Sequence, residues 1–172
     1  MSNIASKHTV APFTLEGAEI FMRNFSGRAG RYTPEGTRNF MVKLPPELAT
    51  QLQEDGWNVT YLKPLEEGDS PTPALRVAVN FNYYNPPEVY KVIGRTKTIL
   101  GEDTISTLDT AEIRRDPDTN LPMVDMRVRG RIWGDENKGG IKAYLEKMYV
   151  TVVEDDLDAK YAFDDEPLPF DP

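Results

Sequence analysis

The sequence predicts a mainly β protein, a small closed barrel or a sandwich, and three observations carry that expectation. Apolar and polar residues alternate over several short runs, the period of a half-buried strand. Turn formers are frequent, with 14 prolines and 12 glycines among 172 residues. Helical patterning is confined to short stretches near 45–56 and 102–108, too little to build a helical core.

Residues 1–14 carry no periodicity and are expected to form a loose arm. Ala18–Phe25 alternates, with Ile20 and Met22 on one side and Phe21, Arg23 and Phe25 on the other. Ser26–Gly36 (SGRAGRYTPEG) reads as a long hairpin loop, and Thr37–Leu44 resumes as a strand with Phe40, Val42 and Leu44 inward. Pro45–Gly56 has prolines at its start, Leu48 and Leu52 on one face and a glycine stop, the marks of a short helix. Trp57–Leu62, Ala74–Phe81, Glu88–Gly94 and Arg95–Leu100 read as further strands, and Glu102–Leu108 as one or two helical turns. Met123–Trp133 is the clearest strand of all, followed by a turn over Gly134–Gly140 and a last strand, Ile141–Val153. Apolar parity changes between Leu145 and Met148, which predicts a bulge. Phe21, Phe40 and Phe81 are assigned to the core, while Trp57 is open between core and surface.

Composition removes whole classes of chemistry. There is no cysteine, so disulfides, thiolate metal sites and thiol nucleophiles are out, and His8 is the only histidine. No assembled catalytic site, metal site or cofactor is expected, and the chain reads as a non-enzyme. No apolar run is long enough for a membrane span, and the N-terminus lacks the core of a signal peptide, so a soluble cytoplasmic protein is expected. The net charge of −8 is unevenly spread: residues 154–172 hold eight acids and one lysine, and the rest is almost neutral. The expected organisation is therefore an arm over 1–14, a folded domain over 15–153 and a disordered acidic tail over 154–172.

The strand Met123–Trp133 is the most informative segment. Its even positions, Val124, Met126, Val128, Gly130 and Ile132, suit a core, whereas its odd positions, Asp125, Arg127, Arg129, Arg131 and Trp133, put three arginines and a tryptophan on one outward face. Same-face residues are about 6.6–7 Å apart, close to the spacing of phosphates in an extended strand. Arginine offers a permanently charged planar fork for phosphate, and an exposed indole can stack a base. A solvated edge guarded by charge is the alternative, but it needs neither arginine nor tryptophan.

The same mixture of cation and ring recurs elsewhere. The first hairpin offers Arg23, Phe25, Arg28, Arg31, Tyr32 and Arg38; the middle offers Tyr83, Tyr84, Tyr90, Lys91, Arg95 and Lys97. The last strand adds Lys142 and Tyr144, with Lys147 and Tyr149 beyond the bulge. Interleaved cations and aromatics on a β-barrel suit single-stranded nucleic acid, whose backbone follows the charge and whose bases stack without regard to sequence.

Two stretches then resemble a known family. RGRIWGDENKGGIKAYLEKMYVTV, residues 129–152, and FMRNFSGRAGRYTPEGTRNFMVKL, residues 21–44, are similar to the final and first hairpins of phage-type single-stranded DNA-binding proteins. The resemblance runs over about residues 17–153 and implies an OB-fold barrel, with a helical segment before its fourth strand, that coats single-stranded DNA in replication, recombination or repair. Separately, DDEPLPF at 164–170 resembles the acidic, phenylalanine-ended tip by which bacterial single-stranded DNA-binding proteins recruit replication and recombination enzymes. That likeness implies partner binding by Asp164, Asp165, Glu166, Pro169 and Phe170, although Asp171 and Pro172 follow the ring here. The tail is also expected to compete with DNA for the arginine-lined face. The reading from a different class is a structural or adaptor barrel that binds protein. Self-association, and RNA against DNA, are left open by the sequence.

Overall fold

Alternation becomes strand throughout the residues that a computed structural model describes: 10–30, 34–64, 66–135 and 139–153. β1 (Phe13–Leu15) and β2 (Ile20–Asn24) are two halves of one bent segment. Gly17 makes the bend at φ 62°, a conformation that side chains disfavour. β1 pairs antiparallel with β8 (Val124–Gly134), and β2 pairs antiparallel with β3 (Asn39–Lys43). β3 continues to β5 (Thr72–Ala78), β5 runs parallel to β9 (Gly139–Thr151), and β9 returns antiparallel to β8. Since β1 and β2 are consecutive, this path closes on itself as a small barrel of the OB-fold kind. β4 (Val59–Leu62) adds to β5, and the hairpin of β6 (Glu88–Ile93) and β7 (Thr96–Leu100) joins the far half of β9 through β6.

The barrel is filled from the inward positions of each strand, among them Phe40, Val42, Leu75, Val77, Val128 and Leu145. α1 (Pro46–Asp55) opens on proline, buries Ala49 and Leu52, and ends at Gly56, whose left-handed backbone returns its N–H to Gln53. The chain then delivers Trp57 into the core, edge-on to Phe13 at 5.1 Å, which settles its position. A 3-10 turn, Ile105–Asp109, stands ahead of β8 where the helical segment was expected. Its Asp109 carboxylate accepts from the N–H groups of Phe25 and Ser26 and so ties down the first hairpin. Among the described residues no helix is long and apolar enough to cross a membrane.

Five expectations are corrected. Phe21, assigned to the core, is only half-buried and lines a surface cleft, and Ile132, assigned inward, is 37% exposed where β8 runs past the core. The arm assigned to residues 1–14 gives way to β1 at Phe13, which pairs with the edge of β8 that β9 leaves free; residues 1–9 lie outside the described residues. Met22 is exposed rather than level with Ile20, because β2 shifts register between Phe21 and Asn24 and Met22 takes φ 48°. The same shift turns Phe25 into the core, where it stacks on Phe40 at 5.4 Å, so this ring cannot meet a base.

Candidate nucleic-acid interface

The β8–β9 ribbon carries a continuous outward row. Across it Trp133 faces Gly140, Arg131 faces Lys142, Arg129 faces Tyr144 and Arg127 faces Lys147, with Asp125 opposite Tyr149 at the far end. The other face of β8 buries Val124, Met126 and Val128 completely or nearly so. Keeping the row intact along β9 requires one extra residue. Outward positions are Lys142 and Tyr144 before the register shift and Lys147 and Tyr149 after it, and Glu146 is the residue left over. Without that bulge, strict alternation would turn Lys147 and Tyr149 inward. The row from Trp133 to Asp125 extends about 27 Å at strand spacing, room for about four nucleotides of extended backbone, within the range for one OB fold.

Tyr83, from the loop after β5, docks on the centre of this row. Its hydroxyl accepts from Arg131 at 2.6 Å, and the Arg129 guanidinium lies 4.7 Å from its ring centre. Its ring also meets Tyr144 edge-on at 5.2 Å, and Lys142 lies over Tyr144 at 5.3 Å. Arg129 is further fixed by donating to the Asn85 carbonyl at 2.7 Å. The β5 neighbour of Tyr144 is Ala78, a small residue. Trp133 stands at the end of the row, 52% exposed, and its strand partner Gly140 has no side chain to cover it.

A second group lies where β6 and β7 join β9. Tyr90 and Tyr149 are nearly parallel at 4.8 Å, with Lys97 at 4.9 Å from the first ring and 5.6 Å from the second. Lys147 lies near both rings, and its ammonium is held above the ordinary lysine range by the Tyr149 hydroxyl first and by Glu88 after it. Three acids on this surface are engaged: Glu146 with Arg127 at 3.6 Å, Glu88 with Lys147 at 3.8 Å, and Asp125, which accepts from the Gly17 N–H at 3.1 Å.

Residues 2–168 match the family described as "Putative phage ssDNA-binding domain". The chain belongs to that family. The solved structures it is similar to include the single-stranded DNA-binding protein from bacteriophage Enc34 as a C-terminal truncation, at 10% identity and TM-score 0.47, covering 91% of this chain and 88% of that one. The same phage protein in complex with ssDNA is similar at 11% identity and TM-score 0.45, covering 93% of this chain and 89% of that one. No curated protein matches the chain.

In this member of the phage ssDNA-binding family, the remaining expected site residues are scattered. Tyr84 is 95% exposed beside Tyr83, and Arg95 sits in the β6–β7 turn, also exposed. Lys91 falls on the same side of β6 as the buried Val89, opposite Tyr90, because the strand alternates there. Arg23 is drawn into structure instead of solvent: its Nη1 donates to the carbonyls of Leu108 and Ala111 at 2.9 and 2.8 Å. Arg38 pairs with Glu102 at 3.4 Å and lies over Phe81. Arg28 is exposed on the first hairpin, 3.9 Å from Asp109. Arg31, Tyr32 and all five tail residues, Asp164, Asp165, Glu166, Pro169 and Phe170, lie outside the described residues. One outward cation was missed. Arg76 is exposed on β5 and donates to Asn39, and the alternation of Leu75, Val77 and Val79 already placed it outside.

Proposed function

We propose that this chain coats single-stranded DNA without reading its sequence, the strand lying along the β8–β9 face from Trp133 to the Tyr90–Tyr149 pair. The observation that carries the reading is the unbroken row of Trp133, Arg131, Arg129 and Tyr144, into which Tyr83 is built. Cations at phosphate spacing hold the backbone, and rings at intervals offer stacking surfaces that accept any base. Family membership supports the ligand. As a phage protein it acts in the cytoplasm of the infected cell, protecting strands opened by replication, recombination or repair. The acidic segment Asp164, Asp165, Glu166, Pro169 and Phe170 is the part that recruits enzymes of those processes.

Trp133 provides the test. In a Trp57→Phe background it is the sole indole, and its fluorescence is titrated with oligo(dT) and with a mixed-sequence strand at two salt concentrations. Quenching with equal affinity for both strands, weakening as salt rises, is the expected result. Salt-independent or absent quenching overturns the reading and favours a barrel that binds protein through the same rings.

A further inference from the structure

A cleft of about 740 Å³ opens between β2, β3, the start of the β4–β5 connection and the segment around Ile113. It shares no residue with the β8–β9 face. Its floor is apolar, with Phe21, Leu62 and Ile113, and its charged lining is four cations, Arg23, Lys43, Lys63 and Arg115, against two acids, Glu19 and Asp69. Glu19 occupies Lys43 and Arg115 in part, bridging both from the same rim. Lys63 forms no ion pair among the described residues, and Arg23 at the back spends its hydrogen bonds on carbonyls, which leave its charge uncompensated. Cationic rim and apolar floor together suit an acidic peptide bearing a large apolar side chain.

The chain itself supplies such a peptide and releases it at this place. Val152 bridges to Ile113 of the cleft wall, and the Val153 N–H donates to the Glu112 carbonyl at 2.8 Å. Val153, the last described residue, therefore lies beside the cleft wall. From there the sequence holds eight acids against one lysine, and ends with Leu168 and Phe170 among prolines. The connection from Val153 to Asp164 reaches at most about 40 Å, ample for a return to a neighbouring wall. A tether of this length also sets the effective concentration of the peptide in the millimolar range, so weak contacts suffice.

We propose that this cleft is the docking site of the chain's own C-terminal segment, with Asp164–Glu166 against Lys43, Lys63 and Arg115, and Leu168 and Phe170 against the apolar floor. Docked there, the tip leaves the β8–β9 face clear for nucleic acid, and a partner enzyme obtains it only by drawing it out of the cleft. The proposal requires neither DNA nor partner, so it stands or falls apart from the reading of the β8–β9 face.

The absence of cysteine allows a single labelling site. Full-length protein carrying Pro172→Cys with a nitroxide is compared by NMR with its reduced form. Broadening is expected at the amides of residues 20–23, 62–63 and 113–115 and not at 127–133. It should fall at least twofold in Lys63→Glu, in Phe170→Ala and at about 0.5 M salt, where the screening length is only a few ångströms. Broadening centred on 127–133, or absent throughout, overturns the proposal. So does broadening that reaches unlabelled chains mixed with labelled ones, since the occupant is then a second copy.

Discussion

Arg131 donates to the Tyr83 hydroxyl at 2.6 Å while Arg129 covers the face of the same ring at 4.7 Å. One loop residue thus holds two guanidinium groups in place before any ligand arrives, which spares the ordering cost that free arginines incur on binding. Tyr83→Ala removes a hydrogen bond and two cation–ring contacts, each contact worth about 0.5–1 kcal/mol at exposed sites. Single-strand affinity should fall about 5–30-fold, with Tyr83→Phe losing less. The salt slope should stay unchanged, because no charge is lost. Titrations at four salt concentrations measure both quantities.

Arg129→Gln and Arg131→Gln remove charge and should behave in the opposite sense. Each phosphate contact contributes about 0.7 to the salt slope on single strands. Either substitution should flatten the slope by about that amount and weaken all sequences alike. Arg127→Gln should do less, since Arg127 is already paired with Glu146. Unchanged slopes for all three would remove the strand from β8.

The barrel was readable because its strands obey a simple period. Met123–Trp133 and Ala74–Phe81 alternate without interruption, and the bulge of the last strand showed in the parity change between Leu145 and Met148. Legibility ends where the backbone departs from that period. Nothing in IFMRNF announces the register shift at Met22, so the pattern alone puts Phe25 outside although it stacks on Phe40 in the core. The site was readable to the same degree. Residues on regular strands, such as Arg129, Arg131 and Tyr144, are where alternation puts them, while Arg23 is claimed by two carbonyls more than 80 positions away, a contact no local pattern encodes. The seat of Tyr83 was equally hidden, because it depends on how the loop after β5 folds over a strand almost 50 residues later.

Gly130 tests the packing beneath the row. A Cβ there would lie 2.5 Å from Ile141, 2.6 Å from the Trp57 ring and 2.8 Å from Val10. Trp57 is buried in the core, so Gly130→Ala should destabilise by about 1–3 kcal/mol through overpacking. A thermal melt should fall by about 2–4 °C per kcal/mol. Affinity for single strands below the transition should be nearly unaffected, because the outward face is untouched.

Glu19 links β2 to Lys43 of β3 and to Arg115, and the hydrogen bond from Lys43 holds its carboxyl below the usual range, with Arg115 adding to the effect. A lowered folded value means the ionised form stabilises the fold above the ordinary glutamate range. That stability is lost as pH falls through the lowered value. The side chain is 36% exposed, so after allowing for solvent screening the contribution is about 0.5–1 kcal/mol. Glu19→Gln should be less stable than the parent at pH 7 and equal to it in strong acid. Denaturant midpoints across pH 2–8 give the comparison.

Trp133 bears most directly on whether bases stack on this face. It is the last member of the outward row, its partner across the hairpin is Gly140, and half its surface remains in solvent. The hairpin that presents it is fixed by its backbone: a side chain at Gly139 would fall 2.3 Å from the Trp133 carbonyl oxygen. Ring position is therefore set by the strand pair, and removing the ring leaves that pair intact. Trp133→Ala should keep the melting temperature within a few degrees, yet lose about 1–3 kcal/mol of single-strand binding, the range for one stacked base. Trp133→Phe should recover part of the loss, since a smaller ring still stacks. Because stacking carries no net charge, both variants should retain the parent salt slope, which separates them from the arginine substitutions on the same strand. Loss of the folded state in Trp133→Ala would assign the ring to packing, and unchanged affinity would take the base off this end of the row.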